Sequence, residues 1–167
     1  MRYAVIMLLV LMLGFQTGFA QKLTRKERKE QKVAEVKELI DSGDYIFIAR
    51  SANPMSGRKI DLTSTYELQF KGDSVHCYLP YFGRAYQAPY GGGEGGIKFD
   101  EVVDDVKTEY NDRKQSYDVR FEVKTEVDTY TLYLNVGLSG YGNLNVNSNN
   151  RQSISYYGVV EALPKKK

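Results

Sequence analysis

One histidine, one cysteine and a cluster of acids are the residues of this sequence with the most obvious chemical potential. His76 and Cys77 are adjacent, and a thiolate nucleophile with an imidazole base would need both on one side of the chain. They lie in "SVHCYLP", which alternates as a strand, so successive side chains point to opposite faces. Cys77 therefore reads as a small buried hydrophobe, and as the only cysteine it forms no internal disulfide. Zinc would require clustered His and Cys ligands, and calcium a D-x-D-x-D-G loop; the sequence offers neither. Asp100, Glu101, Asp104 and Asp105 bunch together, but a solvated strand face explains them without a glycosidase carboxylate pair. The reading assigns no catalytic residue, no metal and no cofactor, and leans away from an enzyme.

A second kind of chemistry is suggested by "YLPYFGRAYQAPYGGGEGGIKFD", Tyr78 to Asp100. Gly91, Gly93 and Gly96 match G-x-G-x-x-G by letter, yet a dinucleotide fingerprint must open a helix, and strand-like "IKFDEVV" follows. A P-loop is excluded because no Gly-Lys-Ser/Thr ends the run. What remains is a glycine loop among tyrosines. Tyr81, Phe82, Arg84, Tyr86, Tyr90 and Gly93 are the candidate ligand contacts: apolar rings with hydroxyls, one cation and a backbone open to close approach. The alternative is that Pro80, Gly83 and Pro89 only punctuate strand ends and the tyrosines fill a rim.

Two further loops qualify. In "LNVNSNNRQSISYYG", Asn145, Asn147, Asn149, Asn150, Arg151 and Ser153 can hydrogen-bond a sugar or carboxylate, but these are also ordinary turn residues. "RSANPMSGRK" reads as a loop with local positive charge from Arg50, Arg58 and Lys59.

The elements that carry these segments follow from periodicity. Thr24 and Glu27 have capping-box spacing, Val33, Val36, Leu39 and Ile40 recur at helical intervals, and Gly43 stands where a helix would stop. From Asp44 the period changes to two, through "YIFIAR", "STYELQFKGDSVHCYLPY", "KTEYNDRKQSYDVRFEVKT", "DTYTLYLNV", "GNLNVNS" and "QSISYYGVVEAL". "EVVDDVKTEY" reads as the hairpin partner of "SYDVRFEVKT". Strands joined by short polar turns predict a mainly β fold: an antiparallel meander closing into a lipocalin-like barrel, or a two-layer sandwich, with one N-terminal α-helix.

Arg2, the apolar run "AVIMLLVLMLGF" and Gly18-Phe19-Ala20 predict a signal peptide over residues 1–20. The organisation expected after it is a charged helix over 21–43 and an antiparallel β domain over 44–167. The apolar run is too short for a membrane span, which needs about 20 residues, so none is expected after cleavage. Of 23 basic residues Arg2 leaves with the signal, against 21 acids, and this balance gives no long-range field for nucleic acid. The expected location is periplasmic or secreted.

"YIFIARSANPMSGRKIDLTS", "YLPYFGRAYQAPYGGGEGGIKFD", "FEVKTEVDTYTLYLNV" and "SNNRQSISYYGVVE" together resemble a family of small exported proteins of Bacteroides-type bacteria, known only as a domain of unknown function. The resemblance covers nearly the whole chain after the signal and implies an exported, mostly β domain; it brings no assigned site residues. Its host group further implies O-glycosylation at Asp-Ser/Thr before an aliphatic residue, which Asp73-Ser74-Val75 matches, making Ser74 a candidate modification site. The functional expectation is a non-enzymatic exported binding or accessory domain for a small amphipathic ligand. The rivals are an envelope protein-interaction module and, third, a small carboxylate-dependent hydrolase.

Overall fold

The computed structural model describes residues 24–55, 57–86 and 95–164. The signal-peptide reading and the contacts assigned to Tyr90 and Gly93 lie outside the described residues. Helix α1 spans Arg25–Ser42. Thr24 caps it: its hydroxyl accepts from the Glu27 N–H while the Glu27 carboxylate accepts from the Thr24 N–H at 2.7 Å, so two orphan donors are satisfied together. Gly43 ends it in the left-handed region at φ 71°, which a glycine adopts without steric cost. Its apolar stripe is narrow, and only Val36 and Ile40 are buried. No helix among the described residues is long and apolar enough to cross a membrane.

Nine strands follow among the described residues: β1 (Tyr45–Pro54), β2 (Ile60–Lys71), β3 (Ser74–Leu79), β4 (Ile97–Val102), β5 (Lys107–Asn111), β6 (Ser116–Lys124), β7 (Thr129–Gly137), β8 (Tyr141–Ser148) and β9 (Ile154–Ala162). They form a single antiparallel sheet in the order β4-β3-β2-β1-β9-β8-β7-β6-β5, curled into a half-barrel. The expected mainly β meander with one N-terminal helix is the observed fold. Burial alternates strictly along β3, β7 and β8, as one wet and one dry face require. The dry faces meet in one hydrophobic cluster that includes Phe47, Leu68, Phe70, Phe121, Leu132, Leu144 and Tyr156. Val36 and Ile40 of α1 join the same cluster.

Two local expectations are corrected. The segment 51–54 was expected in a loop but belongs to β1, which continues past an irregularity between Ala49 and Ser51 and pairs with β9 as far as Pro54↔Ile154. "EVVDDVKTEY" is not one strand: β4 ends at Val102, Val103 turns inward and donates its N–H to the Asp73 carbonyl at 2.8 Å, and β5 starts only at Lys107. The β4–β5 connection is therefore the gap of the half-barrel rather than a hairpin strand.

The tightest backbone approach is at Gly158 in β9, where a Cβ would stand 2.2 Å from the Ile48 carbonyl oxygen and 2.8 Å from Phe47 Cζ. The backbone atom cannot retreat as a flexible side chain could. Gly158→Ala should cost about 3 kcal/mol through overpacking and lower Tm by roughly 6–12 °C in thermal unfolding. A loss within about 1 kcal/mol would show that β1 and β9 are not in this register.

Candidate functional site

Strand directions put four connections at one end of the half-barrel. Pro54 lies beside Ile154, Leu79 beside Ile97, Lys124 beside Thr129 and Tyr130 beside Ser148, so the β1–β2, β3–β4, β6–β7 and β8–β9 connections emerge together. The α1 C-terminus and the Gly72-Asp73 turn lie at the other end, where the Gly72 N–H donates to Asp44 Oδ1 at 2.8 Å. The three loops singled out from sequence thus share one end.

At this end the segment after β3 is tied down. Tyr86 N–H donates to the Asn150 carbonyl at 2.7 Å, Gln152 N–H to the Arg84 carbonyl at 3.0 Å, and Ala85 forms an antiparallel bridge with Arg151. Tyr81 Oη stands between the Arg84 and Gln152 carbonyls, at 2.9 and 3.0 Å, and shares its one proton between them. Tyr156 rises from the core and donates to the Pro80 carbonyl at 2.6 Å. Arg151 stacks its guanidinium 5.3 Å from the Tyr81 ring centroid and donates from Nη1 to the Gly96 carbonyl at 3.1 Å. The β6–β7 turn joins the network: Asn150 Nδ2 donates to the Val127 carbonyl at 2.9 Å and Ser148 Oγ to Asp128 Oδ2.

Burial raises the pKa of both phenols; Arg151 pulls Tyr81 back down, while Tyr156 is driven far above the ordinary range. Both hydroxyls therefore remain donors at neutral pH, as their carbonyl partners require.

Beside this tied-down segment, the strap, lies an open groove of about 340 Å³ lined by Tyr66, Tyr78, Pro80, Tyr81, Gly96 and Lys98; Tyr78 and Lys98 are outward positions of β3 and β4, while Tyr66 and Tyr81 pack against the hydrophobic cluster. Tyr66 and Tyr78 stand with ring centroids 5.5 Å apart, and the Lys98 ammonium sits 4.9 Å above the Tyr78 ring. Two tyrosine rings beside an ammonium offer a surface for an apolar body bearing a negative group.

The site residues expected from sequence divide accordingly. Tyr81 lines the groove but spends its hydroxyl on the strap. Arg84 is held by its backbone with its side chain at the surface, Phe82 is exposed, and Tyr86 is 67 % exposed. Ser74 is exposed at the first position of β3, at the opposite end from this cluster. Sequence reasoning missed Tyr66, Lys98, Gln152 and the hub role of Arg151, because only strand register brings them together. Asn145 and Asn147, which belong to the period-two run "GNLNVNS" as well as to the candidate polar loop, are outward positions of β8, whereas Asn149 and Asn150 lie in the connection.

Cys77 is 1 % exposed and burial pushes its thiol pKa up, while His76 on the opposite face lies with Nδ1 3.7 Å from Asp100 Oδ2. Among the described residues no group of three or more His, Cys, Asp or Glu is arranged to hold a metal ion. Glu101, Asp104 and Asp105 line a separate groove of about 460 Å³ at the β4–β5 gap, facing Lys107, Arg120 and Lys124.

This architecture, one curled antiparallel sheet behind a capped helix, defines a class of small β domain. The family model "Domain of unknown function (DUF4251)" matches residues 27–160, and the chain belongs to that family. It is similar to a crystal structure of a DUF4251 family protein from Bacteroides eggerthii DSM 20697, with a TM-score of 0.62 at 16 % identity, covering 81 % of this chain and 91 % of that one. At that identity the likeness concerns the fold. No curated protein matches the chain.

Arg151→Ala should release the strap without unfolding the sheet, since it removes one cation–π contact and one hydrogen bond, together about 1–2 kcal/mol. Amide hydrogen exchange at Tyr86 and Gln152 should accelerate about tenfold while β7 and β8 amides keep their protection. Unchanged exchange at Tyr86 would show that Arg151 does not hold the segment.

Proposed function

We propose that the protein is a non-enzymatic binding or accessory domain that acts outside the cytoplasm, and that it holds a small amphipathic, anionic ligand in the groove of Tyr66, Tyr78, Tyr81 and Lys98. The observation that carries this reading is the groove itself: tyrosine rings and a lysine ammonium around one concavity, bounded by Gly95 and Gly96 of the glycine segment. The groove opens at the loop end, where Tyr66 and Tyr81 pack against the hydrophobic cluster that fills the inward faces. The apolar run at the N-terminus, with small residues at Gly18 and Ala20, supports export. Export in turn makes exposed Ser74 available to modification.

A second reading rests on a different observation. Phe82 and Tyr86 project from the strap at 38 % and 67 % exposure, and exposed rings on a pinned segment suit a contact with another envelope protein.

Anilinonaphthalene sulfonate, an aromatic anion, separates the two in a fluorescence titration. The paired substitution Tyr66→Ala with Tyr78→Ala should weaken its binding about tenfold, equivalent to about 1.4 kcal/mol, and Phe82→Ser with Tyr86→Ser should leave it unchanged. The reverse pattern would move the proposal to the strap, and insensitivity to both pairs would remove the groove as a site.

A further inference from the structure

Strand β8 carries a row of residues that its own stability does not explain. Its inward positions, Gly142, Leu144 and Val146, are buried, and its outward positions, Tyr141, Asn143, Asn145 and Asn147, are all exposed. Asn is depleted from strands because its short amide competes for nearby backbone groups and packs little surface. Three at successive outward positions of a central strand therefore run against local preference, and such departures concentrate where a surface has work other than folding.

The register extends the row into a face. Asn143 lies between Asn135 of β7 and Tyr157 of β9, Asn145 lies between Tyr133 and Ser155, and Asn147 lies beside Thr131. Tyr141 and Tyr157 close one side with ring planes 3° apart and centroids separated by 5.9 Å. On the other side Tyr133 is steadied by the Arg120 guanidinium, 5.1 Å from its ring centroid. Outward neighbours along a strand stand about 6.8 Å apart, so the asparagine row runs for about 14 Å.

No Asp, Glu, Lys or Arg occupies these positions of β7 and β8, or Ser155 and Tyr157 of β9, whereas the next strand, β6, turns Asp118, Arg120, Glu122 and Lys124 outward. The face is thus an uncharged strip beside a charged one. It complements a ligand that is itself uncharged and rich in hydroxyls. Each exposed amide offers a donor and an acceptor side by side, the pairing that vicinal hydroxyls require, and tyrosine rings pack on the apolar face of a sugar ring. Nucleic acid or anionic lipid would call for lysine and arginine along the row. A protein interface core would call for apolar side chains in place of amides that each need a partner.

From this arrangement we infer that the outer face of β7, β8 and β9 is a binding site for a neutral polysaccharide chain, which lies along the asparagine row with tyrosines at its two margins. The site is separate from the groove of Tyr66 and Tyr78, on β2 to β4, and stands whether or not that groove binds anything.

Affinity electrophoresis of the chain from Gln21 to Lys167 tests the inference, using native gels cast with hydroxyethylcellulose, galactomannan or amylopectin, and with polygalacturonate as the charged comparison. At least one neutral polymer should retard migration, and Asn145→Ala with Tyr157→Ala should weaken that retardation at least tenfold while Tm stays within a few degrees. A second variant, Asn143→Asp with Asn145→Asp, preserves side-chain shape but adds charge, and should abolish retardation equally. The inference is overturned if no neutral polymer retards the protein, if only polygalacturonate does, or if both variants migrate as the parent. It is also overturned if the parent self-associates in sedimentation through this face, because the occupant is then a second copy.

Discussion

Contacts between aromatic side chains across the interior hold the sheet in its curl. The two end strands, β4 and β5, have no ladder between them, so hydrogen bonding alone does not close the fold. Phe70 of β2 meets Phe121 of β6 edge-on at 5.3 Å, and Phe99 of β4 stacks on Tyr130 of β7 at 5.8 Å. These pairs join strands that are far apart in the sheet order, which is what bends the sheet onto itself. The long β1–β9 ladder then ties the beginning of the β domain to its end, and Gly158 permits the close passage that this ladder needs.

That packing decides where recognition can take place. An interior occupied by Phe47, Leu68, Phe121, Leu132 and Tyr156 leaves a ligand the exterior, the loop end and the opposite end, where a cavity of about 610 Å³ is lined by Ile40, Tyr45 and Phe70. The loop end is braced from within by Tyr156, which belongs to the core at its ring and to the strap at its hydroxyl. Arg151 performs the corresponding task from the outside, joining Tyr81 to the Gly96 carbonyl. The asparagine face of β8 lies on the wet side of the sheet, backed by a dry face, and the groove of Tyr66 and Tyr78 lies where outward Tyr78 and Lys98 meet rings packed on the core. A rigid backing of this kind spares a binding surface the ordering cost that a free loop would incur.

Local signals carried much of the fold. Thr24, Glu27 and Gly43 bounded the helix, and the Gly72-Asp73 turn and the alternation in "SVHCYLP" placed β2 and β3 and separated His76 from Cys77. Signals that depend on distant partners were not legible. Nothing local in "RSANP" states that β9 extends β1 to Pro54, and period two cannot show that the acids after Val102 open a gap. For the same reason the candidate site was read from residues near one another in sequence. Tyr66 and Lys98 reach Tyr78 only through strand pairing, and the outward asparagines of the period-two run "GNLNVNS" gain their neighbours only from β7 and β9. Residue type indicated what chemistry was available, while register determined which residues share it.

Recognition on the outer faces depends on a filled interior, and xenon reports empty apolar volume directly, since dry cavities lined by Leu, Ile and Phe take it up. Crystals of the chain from Gln21 to Lys167 held under xenon pressure should show no xenon among Phe70, Phe121, Leu132 and Tyr156. An ordered xenon atom inside the curl would contradict the account, restoring an internal ligand cavity and removing the reason for placing recognition on the outer faces.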